Sequence, residues 1–318
     1  MEIHSCYNLS SLDLKKELAR CIGKLSSSQD FNTYDYKDEK RIVIVYEPLK
    51  YPEKIQPLLY CLNLGDLLLL NFQQKSKEFA ELCLAAELSE KKGYVVSQFY
   101  EEYKEITKGL KINNYEILSE NLNELKEKLL IELEKNKLHY SNEDVNIIVD
   151  NYFIVKSIGL VAIGKLESGK LKVHDKLKIL PQNKEVEIKS IQVFDKDVKE
   201  TENSRVGIVL KGIDYSEMDK GNILTTNEND YVVSKDVKLR VDASKFSKSG
   251  VQENKIYYLN YGLQFVKAIA LEDVKPSESK IIRFKTEKEF VINKKKKVLI
   301  ANPNEFPRII GTAEYYNE

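Results

Sequence analysis

The sequence has no tryptophan, two methionines, three histidines, four cysteines and seven prolines in 318 residues. The histidines, His4, His139 and His174, are scattered. That argues against a histidine-based metal site, which needs several imidazoles converging on one ion. Cys6, Cys21, Cys61 and Cys83 lie in the first third and form no C-x-x-C pair. They read as reduced, mostly buried thiols of a cytoplasmic protein. No apolar run approaches the roughly 20 residues of a membrane span, and the longest, around Leu67 to Leu70, is far short. The N-terminus lacks a basic start followed by an apolar core, so no secretory signal is expected. Net charge is also absent, with 50 basic and 50 acidic residues. A chain held on nucleic acid mainly by phosphate charge would be more basic overall, and neither DNA nor membrane is an expected partner.

Charge is present but unevenly placed. Residues 1–145 carry 20 basic against 25 acidic side chains, residues 146–235 carry 14 of each, and residues 236–318 carry 16 against 11. Any polyanion contact should therefore favour the last third. At 42% hydrophobic and 31% charged, the composition suits a well-cored chain of two or three domains.

The first third alternates between strand and helix patterns. Arg41 to Tyr46 is a β-branched run and Asp66 to Phe72 an apolar one; both read as buried strands. Tyr94 to Gln98 and Tyr115 to Leu118 are shorter strand candidates. Helices are expected over Tyr51 to Leu64, Lys75 to Lys92 with Gly93 as its cap, Tyr100 to Lys108, and Asn121 to Lys137. This order implies a mostly parallel, doubly wound sheet. After a linker near Asn142 to Asp144 the chain becomes short alternating strands separated by turns, which suggests closed barrels. In the first set are Tyr152 to Ile158, Gly159 to Leu166, Lys176 to Leu180, Glu185 to Phe194 and Arg205 to Lys211. In the second are Val237 to Val241, Lys255 to Leu259, Phe265 to Leu271, Lys280 to Phe284, Lys297 to Ala301 and Ile309 to Glu314. The expected domains are residues 1–141, 145–234 and 235–318.

The stretch 149–224 carries a denser pattern. Gly159 and Gly164 flank a hairpin, Ser168-Gly169 turns the next, and Asp175-Lys176-Leu177 opens a strand that ends at Pro181. Ser190-Ile191-Gln192, Arg205-Val206-Gly207 and Leu210-Lys211-Gly212 then lead to Gly221. It resembles the second domain of EF-Tu-like translation elongation factors, and the whole order resembles their G domain followed by two β-barrels. Within that superfamily the chain is most similar to the SelB-like branch and to its archaeal EF-Pyl group. The similarity there includes ARCIGKLSSSQDF at 19–31 and FPRIIGTAEY at 306–315.

The resemblance implies a register for the nucleotide site, and this sequence departs from it. A phosphate loop reads G-x-x-x-x-G-K-[ST]. Its positions fall here on Leu9, Leu14, Lys15 and Lys16, so the lysine is kept while both glycines and the hydroxyl are lost. The aspartate–glycine pair of the second switch becomes Glu47 and Lys50. The position of EF-Tu's water-orienting histidine falls at Tyr51. The guanine-reading N-K-x-D becomes Ser97-Gln98-Phe99-Tyr100. A degenerate G domain is expected, without catalytic residues, metal or cofactor; GTP and Mg²⁺ enter only if the chain is a divergent GTPase. Residues 9–16 then read as a relic turn into the first helix, with Ser10 or Ser11 as its N-cap and Lys15 either as a solvated surface lysine or as an anion contact at the helix start.

In EF-Tu-like factors the barrels contact aminoacyl-tRNA, so aminoacyl-tRNA or the ribosome is the partner the resemblance implies. Lys245, Lys248 and the run Lys294, Lys295, Lys296 and Lys297 are basic candidates, with solvated turns as the alternative. Arg205 is either a phosphate contact or a brace of its barrel. Tyr257, Tyr258 and Tyr261 either stack on bases or pack their strand. A scaffold that has left translation is the further alternative.

Overall fold

A computed structural model describes residues 5–135 and 144–317. The chain divides into two compact units, residues 1–138 and 139–318. His4, His139, Asn142 and the end of the helix expected to Lys137 lie outside the described residues.

The first unit is one seven-stranded sheet with helices on both faces. Its strands are β1 (Ser5–Leu12), β2 (Lys24–Ser28), β3 (Phe31–Lys37), β4 (Arg41–Pro48), β5 (Leu67–Asn71), β6 (Gly93–Val96) and β7 (Glu116–Ser119), in the order β2-β3-β4-β1-β5-β6-β7. From β4 to β7 all neighbours are parallel, while β3 and β2 add an antiparallel edge. The helices are α1 (Leu18–Ile22), α2 (Gln56–Leu64), α3 (Lys77–Ser89), α4 (Tyr100–Ile106) and α5 (Leu125–Lys135). On one face Tyr7, Leu9, Val43, Val45, Leu67 and Leu69 pack against Leu18, Ile22, Leu125, Leu129 and Leu133 of α1 and α5. Each such side chain contributes about 1.5–3 kcal/mol when fully buried. The opposite face of β1 and β4 takes α2.

Three local expectations are corrected here. β2 and β3 were not anticipated; KLSSS of β2 lies exposed at the sheet edge and carries no alternation. α2 starts at Gln56 instead of Tyr51, with Pro57 in its first turn, where a missing N–H costs nothing. α3 is capped by Glu90 in the left-handed region (φ 54°), and Gly93 opens β6.

The second unit holds two barrels. The first uses β8 (Asn146–Val155), β9 (Gly159–Ser168), β10 (Lys170–Lys172), β11 (Lys176–Leu180), β12 (Lys184–Val193), β13 (Lys196–Val198), β14 (Glu200–Glu202), β15 (Arg205–Lys211) and β16 (Ile223–Thr225). Six of them close in the order β11-β16-β8-β9-β15-β12, β12 pairing back to β11. Ile147, Val149, Leu177, Ile179, Val186, Ile188, Ile208 and Leu224 fill its interior. Two glycines are required by space. A Cβ on Gly164 would lie 2.4 Å from the Ile148 carbonyl oxygen, and Gly169 turns at φ 77° against the backbone of Val145. The second barrel closes as β17-β20-β19-β18-β21-β22. Its strands are β17 (Tyr231–Ala243), β18 (Ile256–Tyr261), β19 (Gln264–Ala270), β20 (Ser279–Asn293), β21 (Val298–Ala301) and β22 (Ile309–Tyr315). The architecture is thus a doubly wound α/β domain followed by two β-barrels.

Candidate functional site

In an open parallel sheet the ligand crevice lies beyond the carboxyl ends of the strands. Here β1 runs through Leu12, so Leu9 is a fully buried strand residue paired with Val45 and Leu67. Residues 9–12 are strand, which corrects the expected relic turn. Ser10 and Ser11 also lie in β1; Ser10 donates its hydroxyl to the Cys61 carbonyl, and neither caps a helix.

The capping is done by Asp13. Its Oδ1 accepts the Lys15 N–H (3.0 Å) and the Asn71 amide (3.0 Å), and its Oδ2 accepts the N–H groups of Glu17 (2.7 Å) and Leu18 (2.9 Å). Lys16 takes a left-handed conformation (φ 58°) to form this loop. Its Nζ bonds the Leu49 carbonyl, 2.5 Å away. Leu14 is half-buried and the Lys15 side chain is exposed. A carboxylate of the chain itself therefore takes the amide groups of the β1–α1 loop.

Glu47, last but one in β4, has no exposed surface. Asn32 and Tyr34 of β3 donate to its Oε2 at 3.0 and 3.2 Å. Burial is the main influence on its carboxyl and raises it above the usual range. Lys50 is exposed in the following turn, whereas Tyr51 is buried, its hydroxyl 2.9 Å from the Glu78 carbonyl and 3.1 Å from Glu81 Oε2. Between β6 and α4, Ser97 Oγ accepts the Phe99 N–H, Gln98 and Phe99 are exposed, and Tyr100 donates to the Tyr115 carbonyl at 2.9 Å. The sheet thus brings residues 13–16, 47–51 and 97–100 to one edge. A cleft of about 470 Å³ opens at the other edge, lined by Leu67, Glu87, Tyr94, Lys111, Ile112 and Tyr115 among others, and none of the expected nucleotide-site or RNA-contact positions lines it.

None of the four cysteines forms a disulfide, and burial pushes the Cys6 and Cys83 thiols up to about 12. Among the described residues no group of three or more His, Cys, Asp or Glu is placed to hold a metal ion. Among them, too, no helix is long and apolar enough to cross a membrane.

The barrel candidates do not converge. Arg205 is committed to Asp150 through two nitrogens, across β9. Lys294 to Lys297 form the turn between β20 and β21. There Lys294 bonds the Asn229 carbonyl, Lys295 pairs with Asp230 at 2.7 Å, and Lys296 reaches Glu167 of the first barrel at 3.7 Å. Lys245 and Lys248 follow the other end of β17, with Lys245 Nζ 5.0 Å from the Phe246 ring centre. Tyr257 and Tyr261 are buried, and Tyr258 stacks on Phe265 at 4.6 Å. Asp13 and Asn71 were missed by sequence reasoning; the one available signal was an aspartate four or five residues ahead of a helix start.

Residues 159–225, from β9 to β16, match the elongation factor Tu domain 2 family. The chain is 31% identical over 299 residues to the uncharacterized protein MJ0325 of Methanocaldococcus jannaschii, spanning 92% of this chain and 94% of that protein. It is 31% identical over 193 residues to the selenocysteine-specific elongation factor of the same organism, 54% of this chain and 41% of that protein. This chain belongs to one family with MJ0325, and its first barrel carries the elongation factor Tu domain 2 match. The crystal structure of translation elongation factor SelB from Methanococcus maripaludis, in complex with the GTP analogue GppNHp, shares its fold. The TM-score is 0.83 at 20% identity, over 100% of this chain and 80% of that one. The protein is thus elongation-factor-like in sequence over its first barrel and in fold throughout.

Proposed function

We propose that this protein is a SelB-like factor of the EF-Pyl kind that binds aminoacyl-tRNA or another translation component without a GTP cycle. The observation that carries the reading is Asp13. A phosphate loop binds anions because its backbone N–H groups point into an open concavity. Here the Asp13 carboxylate takes three of those groups, and the concavity is further closed by β1 running through residues 9–12. A guanine base needs a carboxylate at the last N-K-x-D position, and Tyr100 stands there with its hydroxyl spent on a main-chain carbonyl. These residues do not fit a guanine nucleotide, and switch loops held by γ-phosphate and Mg²⁺ have no counterpart in such an edge. The selenocysteine-specific elongation factor among the relatives supports the translation setting.

Isothermal titration of the full chain with GTP and GDP should show no heat of binding; micromolar affinity for either would make it a divergent GTPase. Electrophoretic co-migration should favour aminoacyl-tRNA over uncharged tRNA and bulk RNA. Failure to bind any RNA at moderate salt would point to a scaffold.

A further inference from the structure

Lys16 combines a strained backbone with a committed side chain. Its φ of 58° lies in the left-handed region, which disfavours any residue with a Cβ and which glycine would take freely. Such strain persists only where the surroundings over-determine it. Here the ammonium supplies that hold: half-buried, it donates to the Leu49 carbonyl at 2.5 Å, 33 positions along the chain.

The Leu49 N–H is bonded too, to the Asp30 carbonyl of the β2–β3 turn at 3.3 Å. Beyond it the Lys54 N–H closes a turn on the Lys50 carbonyl at 2.7 Å, and the buried Tyr51 hydroxyl holds that turn to Glu78 and Glu81 of α3. At the other end Asp13 ties the β1–α1 loop to Asn71 of β5. A continuous set of bonds thus runs from β5 through both loops to α3. In nucleotide-switched proteins a bound phosphate and its metal ion order the switch loops, and their loss releases them.

We propose that residues 48–54 form a permanently ordered strap, with the Lys16 ammonium as the internal cation that replaces a bound metal ion between the two loops. The Asp13 carboxylate supplies the matching negative group to the amides of the first loop. Both groups belong to the chain, so this edge keeps one conformation and has no ligand to lose. The inference rests on the reading that no guanine nucleotide binds and goes beyond it, because an edge that had merely lost its nucleotide would be left mobile.

The test is amide hydrogen exchange of the full chain, followed by NMR at Leu49 and Lys54. Both amides should be protected in wild type without nucleotide. Lys16→Met removes the ammonium and should speed both about tenfold or more, the scale of one hydrogen bond from a charged donor. Lys16→Gly also relieves the strained backbone, yet should speed them equally, whereas Lys15→Met should change neither. Tyr51→Phe reaches the strap from α3 and should speed Lys54 with Lys16 intact. Exchange at the rate of an unfolded chain in wild type, or unchanged protection in Lys16→Met, overturns the proposal. So does slowing of these amides by GTP and Mg²⁺, because a strap that switches is not permanently ordered. Nucleotide binding without such slowing supports the strap and counts against the no-nucleotide reading alone.

Discussion

Arg205 grips Asp150 through two nitrogens, Nε 2.9 Å from Oδ2 and Nη2 3.1 Å from Oδ1. The aspartate is 3% exposed and the arginine 16%. The pair reaches from β15 across β9 to β8, so it braces the first barrel where Gly164 lets the backbones approach closely. Removing one partner of a buried pair leaves the other charge uncompensated, at about 3–5 kcal/mol. Arg205→Ala and Asp150→Ala should each lower stability by that order in urea unfolding. Arg205→Lys should recover only part, because an ammonium cannot make the two-pronged contact. An arginine serving RNA alone would instead lose affinity with stability unchanged.

Asp13 makes a different kind of prediction, since its partners are main-chain amides. Asp13→Ala leaves the N–H groups of Lys15, Glu17 and Leu18 without their acceptor. Loss of a cap costs about 0.5–2 kcal/mol, and each buried donor left unsatisfied costs about 1–3 kcal/mol. The variant should lose at least about 2 kcal/mol of stability, and hydrogen exchange of the Glu17 and Leu18 amides should accelerate selectively. Asp13→Asn should lose less, because its amide keeps one accepting oxygen. Equal protection of these amides in Asp13→Ala and wild type would contradict the capping role.

These two residues show what sequence made legible. Barrel strands announce themselves by alternation, and even their irregularities are written there. Val186, Ile188, Ile191 and Val193 slip phase once, where β12 shifts register between Ile188 and Ser190. Gly164 and Gly169 were equally readable, because close backbone at each leaves no room for a side chain. The edge of the α/β domain was harder. Leu9 fell on a phosphate-loop position in the family register but belongs to a strand, and strand length is set by pairing with β4 and β5, partners distant in sequence. Asp13 was silent because its role depends on where the loop folds back and on Asn71, 58 positions away. β2 was hidden because an exposed edge strand needs no apolar pattern.

The lysines of the second barrel separate into two groups that a binding measurement can distinguish. The β20–β21 turn spends Lys295 on Asp230 and Lys296 on Glu167, while Lys245 and Lys248 lie beyond the opposite end of β17. Exposed ion pairs are worth about 0.2–1 kcal/mol, so Lys295→Ala with Lys296→Ala should change stability little. Those two lysines also bring their own counter-charges, which must be displaced before a phosphate is met. Each lysine that does meet a phosphate of duplex RNA adds roughly 0.7–0.9 to the slope of log affinity against log salt. Lys245→Ala with Lys248→Ala should therefore lower the salt slope of tRNA binding by up to about 2, and the turn pair should lower it by less. A larger loss of slope in the turn pair would assign RNA contact to the end of the barrel that faces Glu167.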